Sequence, residues 1–165
     1  MKEVEKKFLV KDGSWRREAR GSLYRQGYLC ALKERVVRVR TFDGRGFLTI
    51  KGVTRGITRV EYEYEIPVRE ANEMLEHLCK KPVVEKKRYR IEYEGHVWEV
   101  DEFLSENQGL VLAEVELERE DEEIKFPPWV GEEVSGDPRY YNINLVDNPY
   151  KNWSQEKAKK KKRVE

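Results

Sequence analysis

Along most of the chain, apolar and charged residues alternate one by one, and a period of two predicts strands. The alternation marks eight of them, near 2–9, 23–30, 35–42, 46–53, 58–67, 83–93, 96–104 and 109–119. Asp43-Gly44 supplies a hairpin turn between the third and fourth, and Glu94-Gly95 one between the sixth and seventh. Thr54-Arg55-Gly56 links the fourth to the fifth. Links this short force antiparallel neighbours, because a parallel crossover needs about a dozen residues or more. A helical stripe occurs over 69–80, where Ala71, Met74, Leu75, Leu78 and Cys79 share one face and Pro82 ends the run. Shorter helices are expected at 14–21, after Asp12-Gly13-Ser14, and near 137–146, opened by Asp137-Pro138. Phe126-Pro127-Pro128-Trp129 predicts a rigid loop with an aromatic anchor.

Successive side chains of a strand point to opposite faces, so each strand can be sorted by parity. One face collects Glu3, Glu5 and Lys7; Arg38 and Arg40; Thr49 and Lys51; Arg59, Glu61, Glu63 and Glu65; Lys86, Arg88 and Arg90; Glu99 and Asp101; Glu114, Glu116 and Glu118. The other collects Val4, Phe8, Val37, Val39, Leu48, Ile50, Val60, Tyr62, Tyr64, Ile66, Tyr89, Ile91, Trp98, Val100, Val115 and Leu117, with Lys6 and Lys87 as exceptions. Two architectures give this pattern. In one, an open sheet buries its apolar face and solvates the other. In the other, the sheet closes on itself with the ionised face inward. Segregation of the charges into basic strands (Arg38, Arg40; Lys86, Arg88, Arg90) and acidic ones (Glu61, Glu63, Glu65; Glu114, Glu116) favours the second. Eight strands also suffice for closure, which removes exposed edges. The expected fold is α+β: a closed eight-stranded antiparallel β-barrel with a charged interior and helices packed outside. Such an interior must be wet, because burying each paired ion costs roughly several kcal/mol and a whole domain is stable by only about 5–15 kcal/mol.

Composition narrows the partners. Charged residues make up 39% of the 165 positions, yet 33 Lys and Arg nearly cancel 32 Asp and Glu, leaving +1. That balance gives no overall electrostatic case for nucleic acid or a membrane surface. No apolar run approaches the roughly 18 residues of a membrane span, and the start carries no signal-peptide pattern. Cys30 and Cys79 predict reduced, packed thiols rather than a disulfide framework or zinc site. A cytoplasmic protein is expected, with one domain over 1–150 and a basic, flexible tail over 151–165 that includes Lys159 to Arg163.

The segregated wall suits phosphoryl chemistry, which asks a protein mainly for positioning and charge stabilisation. Arg38, Arg40, Lys51, Arg59, Lys86 and Arg88 are candidates for binding phosphate oxygens. Glu3, Glu5, Glu114 and Glu116 could hold Mg²⁺ or Mn²⁺, hard cations that prefer carboxylate oxygens. Asp101, Glu61 and Glu63 are candidates for a second metal or for orienting the attacking water. No Walker-type or dinucleotide-binding glycine run is present. His77 and His96 have no evident catalytic partner, and Trp15, Trp98, Trp129 and Trp153 are expected to be packing anchors.

The order of motifs resembles a known family. Glu3-Val4-Glu5-Lys6-Lys7, Arg38-Val39-Arg40, Leu48-Thr49-Ile50-Lys51-Gly52, Arg59-Val60-Glu61-Tyr62-Glu63, Glu85-Lys86-Lys87-Arg88 and Glu114-Val115-Glu116 together resemble the CYTH superfamily, or triphosphate tunnel metalloenzymes, over roughly 2–146. Among its members, the chain looks most like the short bacterial proteins that hydrolyse inorganic tripolyphosphate. The resemblance implies metal held by Glu3, Glu5 and Glu114 or Glu116, and phosphate contacts that add Lys7 to the cations above. It places Tyr28 near the phosphates and gives 139–146 the part of a plug at one tunnel mouth. The expected partner is inorganic tripolyphosphate or another triphosphate-bearing small molecule. Adenylate cyclase, nucleoside or thiamine triphosphatase, and a non-catalytic polyphosphate-binding module are the alternatives.

Overall fold

The alternating segments form strands whose hydrogen-bond ladders close on themselves. The computed structural model describes residues 2–154. Its strands are β1 (Lys2–Val10), β2 (Ser22–Leu32), β3 (Arg35–Phe42), β4 (Arg45–Gly52), β5 (Thr58–Ile66), β6 (Val84–Tyr93), β7 (His96–Phe103), β8 (Val111–Leu117) and β9 (Val130–Glu133). They pair antiparallel in the order β5-β4-β3-β2-β6-β7-β8-β1, and β5 pairs back onto β1, so eight strands make a ring. β1 completes it by dividing one edge between two partners. Lys2 to Val4 pair with β5, whereas Phe8 and Val10 pair with β9. The sequence pattern does not mark β9, because its four residues carry too little alternation to register.

Both hairpin loops form as expected. Asp43 and Gly44 have φ of 50° and 71°, and Glu94 and Gly95 have 46° and 86°, the left-handed pairs of a two-residue loop matched to strand twist. Helices are shorter than the pattern predicts. The stripe at 69–80 becomes α1 (Val68–His77), and Leu78 lies past its end, 68% exposed. Residues 14–21 give a single 3₁₀ turn, Ser14–Arg17. Residues 137–146 give a 3₁₀ turn, Pro138–Tyr140, and the four-residue α2 (Asn144–Asp147).

What covers the apolar outer face also differs from expectation. α1 packs Ala71 and Leu75, with Cys79 just past its end, against Val39 and Leu48. Around β1, β6, β7 and β8 the cover is loop and turn: Trp15 and Trp129 bury against Phe8, Ile91, Trp98 and Val115. On the outer face of β5 only Ile66 packs with α1 among the described residues, and Val60, Tyr62 and Tyr64 stand 41%, 49% and 56% exposed. The four tryptophans are buried, Trp153 with Tyr140 and Leu145. Cys79 is buried and Cys30 half-buried, both as free thiols. Among the described residues no helix is long and apolar enough to cross a membrane. The basic run expected at 159–163 lies outside the described residues.

Candidate active site

Parity sends the ionised face of every ring strand but β2 inward, onto a cavity of about 660 Å³, and β2 contributes Tyr24 and Tyr28. All the site residues expected from sequence line it except Asp101. Arg90 and Glu99 line it too, whereas Glu65 and Glu118 do not.

Three charge groups organise the wall. In the first, Glu3 accepts from Lys51 at 3.3 Å and Arg59 at 3.4 Å, and Lys51 lies 3.9 Å from Glu61. Burial pulls the Glu3 carboxyl up, but Lys51 and then Arg59 draw it down to about 2. Burial, aided by Arg38, lowers the Lys51 ammonium, and burial raises Glu61. In the second, Glu63 sits 3.6 Å from Arg38 and 3.1 Å from Arg40 and accepts the Thr49 hydroxyl at 2.8 Å. The Nε donors of both arginines are buried and have no partner. Burial and the adjacent Arg38 cation push Arg40 down to about 10.

The third group is the most enclosed. Asp101 is fully buried, accepting from Arg88 at 2.7 and 2.8 Å and pairing with Lys86 at 2.8 Å. Its carboxylate is therefore spent on neutralising two cations behind the cavity wall, which removes it from reach of a metal or a water in the cavity. Glu114 pairs with Lys7 at 3.3 Å and Arg88 at 3.6 Å, and these cations hold it low against the pull of burial. Burial pushes the Lys86 ammonium down to about 8, with Asp101 opposing.

Two carboxylates stand apart from all this pairing. Glu5 and Glu116 face each other in register across β1 and β8. Among the described residues neither has a hydrogen bond or ion pair. Burial, Glu114 and Glu3 raise Glu5 well above the usual carboxylate range, and burial with Glu3 and Glu99 raises Glu116. The like charges that crowd Glu5 are those of Glu114 and Glu3, whereas Glu116 is exposed, and a proton or a cation at Glu5 relieves that crowding. These donors fit a hard divalent ion in kind and charge. As they stand, no three acidic, His or Cys side chains among the described residues are grouped to hold one. Glu3 and Glu114 are turned to their lysine and arginine partners.

Several cavity residues escape the sequence pattern. Gln26 is fully buried, donating to the Tyr28 hydroxyl at 3.1 Å and to Asn142 at 3.3 Å. Asn142 also accepts from Lys86 at 3.0 Å, and the Tyr140 carbonyl accepts from Lys7 at 3.2 Å. Ser135, Tyr141, Asn142 and Ile143 thereby close one end of the cavity. The parity of Tyr24, Gln26 and Tyr28 was readable, but Leu23 and Leu29 stay exposed outside, so polarity does not separate the two faces of β2. The register of β2 on β3 also shifts between Tyr28 and Cys30.

Comparison with known proteins now bears on this geometry. The CYTH domain matches residues 1–141. An inorganic triphosphatase of Acetivibrio thermocellus is 59% identical over 154 residues, covering 93% of this chain and 99% of that one. An inorganic triphosphatase of Nitrosomonas europaea is 39% identical over 153 residues, covering 88% and 97%. The solved structure of the inorganic triphosphatase NE1496 superposes with a TM-score of 0.61 at 36% identity, over 87% of this chain and 93% of that one.

Proposed function

This chain belongs to the CYTH domain family, and from that premise we propose that it hydrolyses inorganic tripolyphosphate to pyrophosphate and phosphate within a tunnel through the eight-stranded barrel. One observation carries the reading: a single cavity wall bears arginines with unspent donors, Arg38 and Arg40, together with carboxylates that form no ion pair among the described residues, the half-buried Glu5 and the exposed Glu116. An anion alone would satisfy the first and leave the second worse off. A polyphosphate accompanied by a divalent cation satisfies both.

Glu5 and Glu116 would hold the metal, Mg²⁺ or Mn²⁺, with Glu3 and Glu114 joining once phosphate competes for their cationic partners. When bound, the ion neutralises phosphate charge and makes a coordinated water more nucleophilic. The remaining work falls to the chain itself. Arg38 and Arg40 present planar donors to phosphate oxygens, while Lys7, Lys51, Arg59 and Lys86 add point charges along the chain of the substrate. Arg88, locked by Asp101, holds its guanidinium at a fixed place on the wall. Glu61 and Glu63 are the carboxylates positioned to orient water, Glu61 with its pKa raised by burial toward the range of a useful base.

The test is a panel of tripolyphosphate, ATP and thiamine triphosphate with Mg²⁺ and with Mn²⁺. Phosphate release from tripolyphosphate exceeding that from the others is the expected result. Cyclic AMP made from ATP, or turnover of a nucleotide without tripolyphosphate, would refute the assignment. A non-catalytic binding module would bind tripolyphosphate without releasing phosphate.

Lys86 gives the reaction a pH signature. Its ammonium titrates near 8 in the ligand-free protein, and a bound phosphate favours the charged form. Binding therefore takes up protons around this pH, and KM for tripolyphosphate is expected to rise as pH increases through about 8. Lys86→Arg, which keeps its charge throughout, should flatten that rise. An unchanged KM profile in the arginine variant would assign the titration elsewhere.

A further inference from the structure

At one end of the cavity Lys7 donates to the Tyr140 carbonyl and Lys86 to Asn142, with Ser135, Tyr141 and Ile143 among the lining residues. A bulky terminal group on a triphosphate is better directed away from this filled end, toward the tip of the β3–β4 hairpin. The wall there is aromatic. Tyr24 and Phe42 stack with centroids 4.2 Å apart and planes within 3°, and Phe42 stacks on Phe47 at 4.9 Å and 12°. β3, which carries Phe42, lies between β2 with Tyr24 and β4 with Phe47, which sets those two rings on opposite sides of Phe42.

Guanidiniums attend the row as well. Arg88 lies 5.1 Å from the Tyr24 centroid and Arg45 5.1 Å from that of Phe47, while Arg40 lies beside the stack, 5.6 Å from Tyr24 and 5.3 Å from Phe42. Arg45 is exposed, but two hydrogen bonds to Glu65, at 2.9 and 2.7 Å, hold it over the ring. A nucleobase binds an aromatic wall through an available ring face. Here those faces are already taken by neighbouring rings or by guanidiniums.

Taking the triphosphatase reading as its basis, we propose that the Tyr24–Phe42–Phe47 row, capped by Arg45, is a specificity element that favours bare phosphate chains over nucleoside triphosphates. It does so by filling the place where a base would stack. Phe42 is the central member. Its removal leaves, between Tyr24 and Phe47, a slot the thickness of one aromatic ring. A smaller cavity of about 270 Å³ adjoins Tyr24 and Phe42 and gives a purine room to enter.

The experiment compares kcat/KM for tripolyphosphate and for ATP in the wild type, Phe42→Ala and Arg45→Ala. Phe42→Ala is expected to raise the ratio of ATP to tripolyphosphate about tenfold or more, the scale of one base–aromatic stack, and free adenosine should inhibit this variant but not the wild type. Arg45→Ala, at an exposed side chain that folding does not need, is expected to raise the ratio about threefold by freeing one ring face. An unchanged ratio in both variants, with tripolyphosphate turnover intact, overturns the proposal and leaves the triphosphatase reading standing. So does a wild type that hydrolyses ATP as readily as tripolyphosphate. A wild type that releases no phosphate from tripolyphosphate takes down both. Should Phe42→Ala fail to fold, Arg45→Ala decides.

Discussion

Glu5→Gln is expected to cut tripolyphosphate turnover by about a hundredfold or more while leaving the protein at least as stable as the wild type. The two effects share one cause. Glu5 lies in the ring with Glu114 and Glu3 nearby, and among the described residues it forms no ion pair, although Lys7 and Lys51 pull its carboxyl down more weakly. The proposed metal site needs that charge, whereas the metal-free fold is better without it. The amide keeps the shape of the side chain and removes the repulsion. Because the folded pKa is raised, the cost of holding Glu5 ionised grows with pH, and a higher Tm for the metal-free variant is expected at neutral pH.

The sign of the pH dependence follows from the same shift. Because the folded pKa of Glu5 is raised, the folded state keeps a proton that the unfolded chain has already lost. In metal-free protein, stability should therefore fall as pH rises from the ordinary carboxylate range through the raised one. Thermal melts with chelator, run across pH for wild type and Glu5→Gln, check this. A flat wild-type profile, or a variant with retained turnover, would remove Glu5 from the proposed metal site.

The largest stability loss is expected at Asp101, although it does not line the cavity. Asp101→Asn leaves Lys86 and Arg88, both nearly inaccessible, without their shared counter-charge. Breaking a buried pair in this way costs about 3–5 kcal/mol, which for a chain of this size lowers Tm by roughly 10 °C. Glu114 and Glu99 also touch Arg88, so Lys86 bears most of the loss. Asp101→Asn combined with Lys86→Met should recover part of it, and a double-mutant cycle in urea measures how much. A single variant as stable as wild type would mean that the cavity's water, not Asp101, solvates these cations. Since the pair depends on a depressed Asp101 pKa, its contribution is fully present above the ordinary carboxylate range and is lost as pH falls through the depressed value.

Much of this site was legible before any coordinates. Strand parity is a local property, set by backbone geometry residue by residue, so alternation alone sorted Glu3, Glu5, Lys7, Arg38, Arg40, Lys51 and Glu116 onto one face. The left-handed turns at Asp43-Gly44 and Glu94-Gly95 are likewise local, and they pinned which strands are neighbours. The unmixed charge of successive strands argued that this face was enclosed.

Tertiary structure decided what each charge does. Whether a carboxylate is spent or available depends on which residue stands across the ring and at what register, and that follows from how β5 closes on β1. Asp101 and Glu5 have the same chemistry and the same parity, yet one neutralises two lysine and arginine neighbours and the other faces Glu116. The cap built from 135–143, the ninth strand beside β1 and the uncovered Tyr62 and Tyr64 are set by long-range packing that no short window of residues encodes. Alternation fixes which side of a strand a group occupies; only closure of the ring fixes its partner, because partners meet across distances that the chain spans in space and not in sequence.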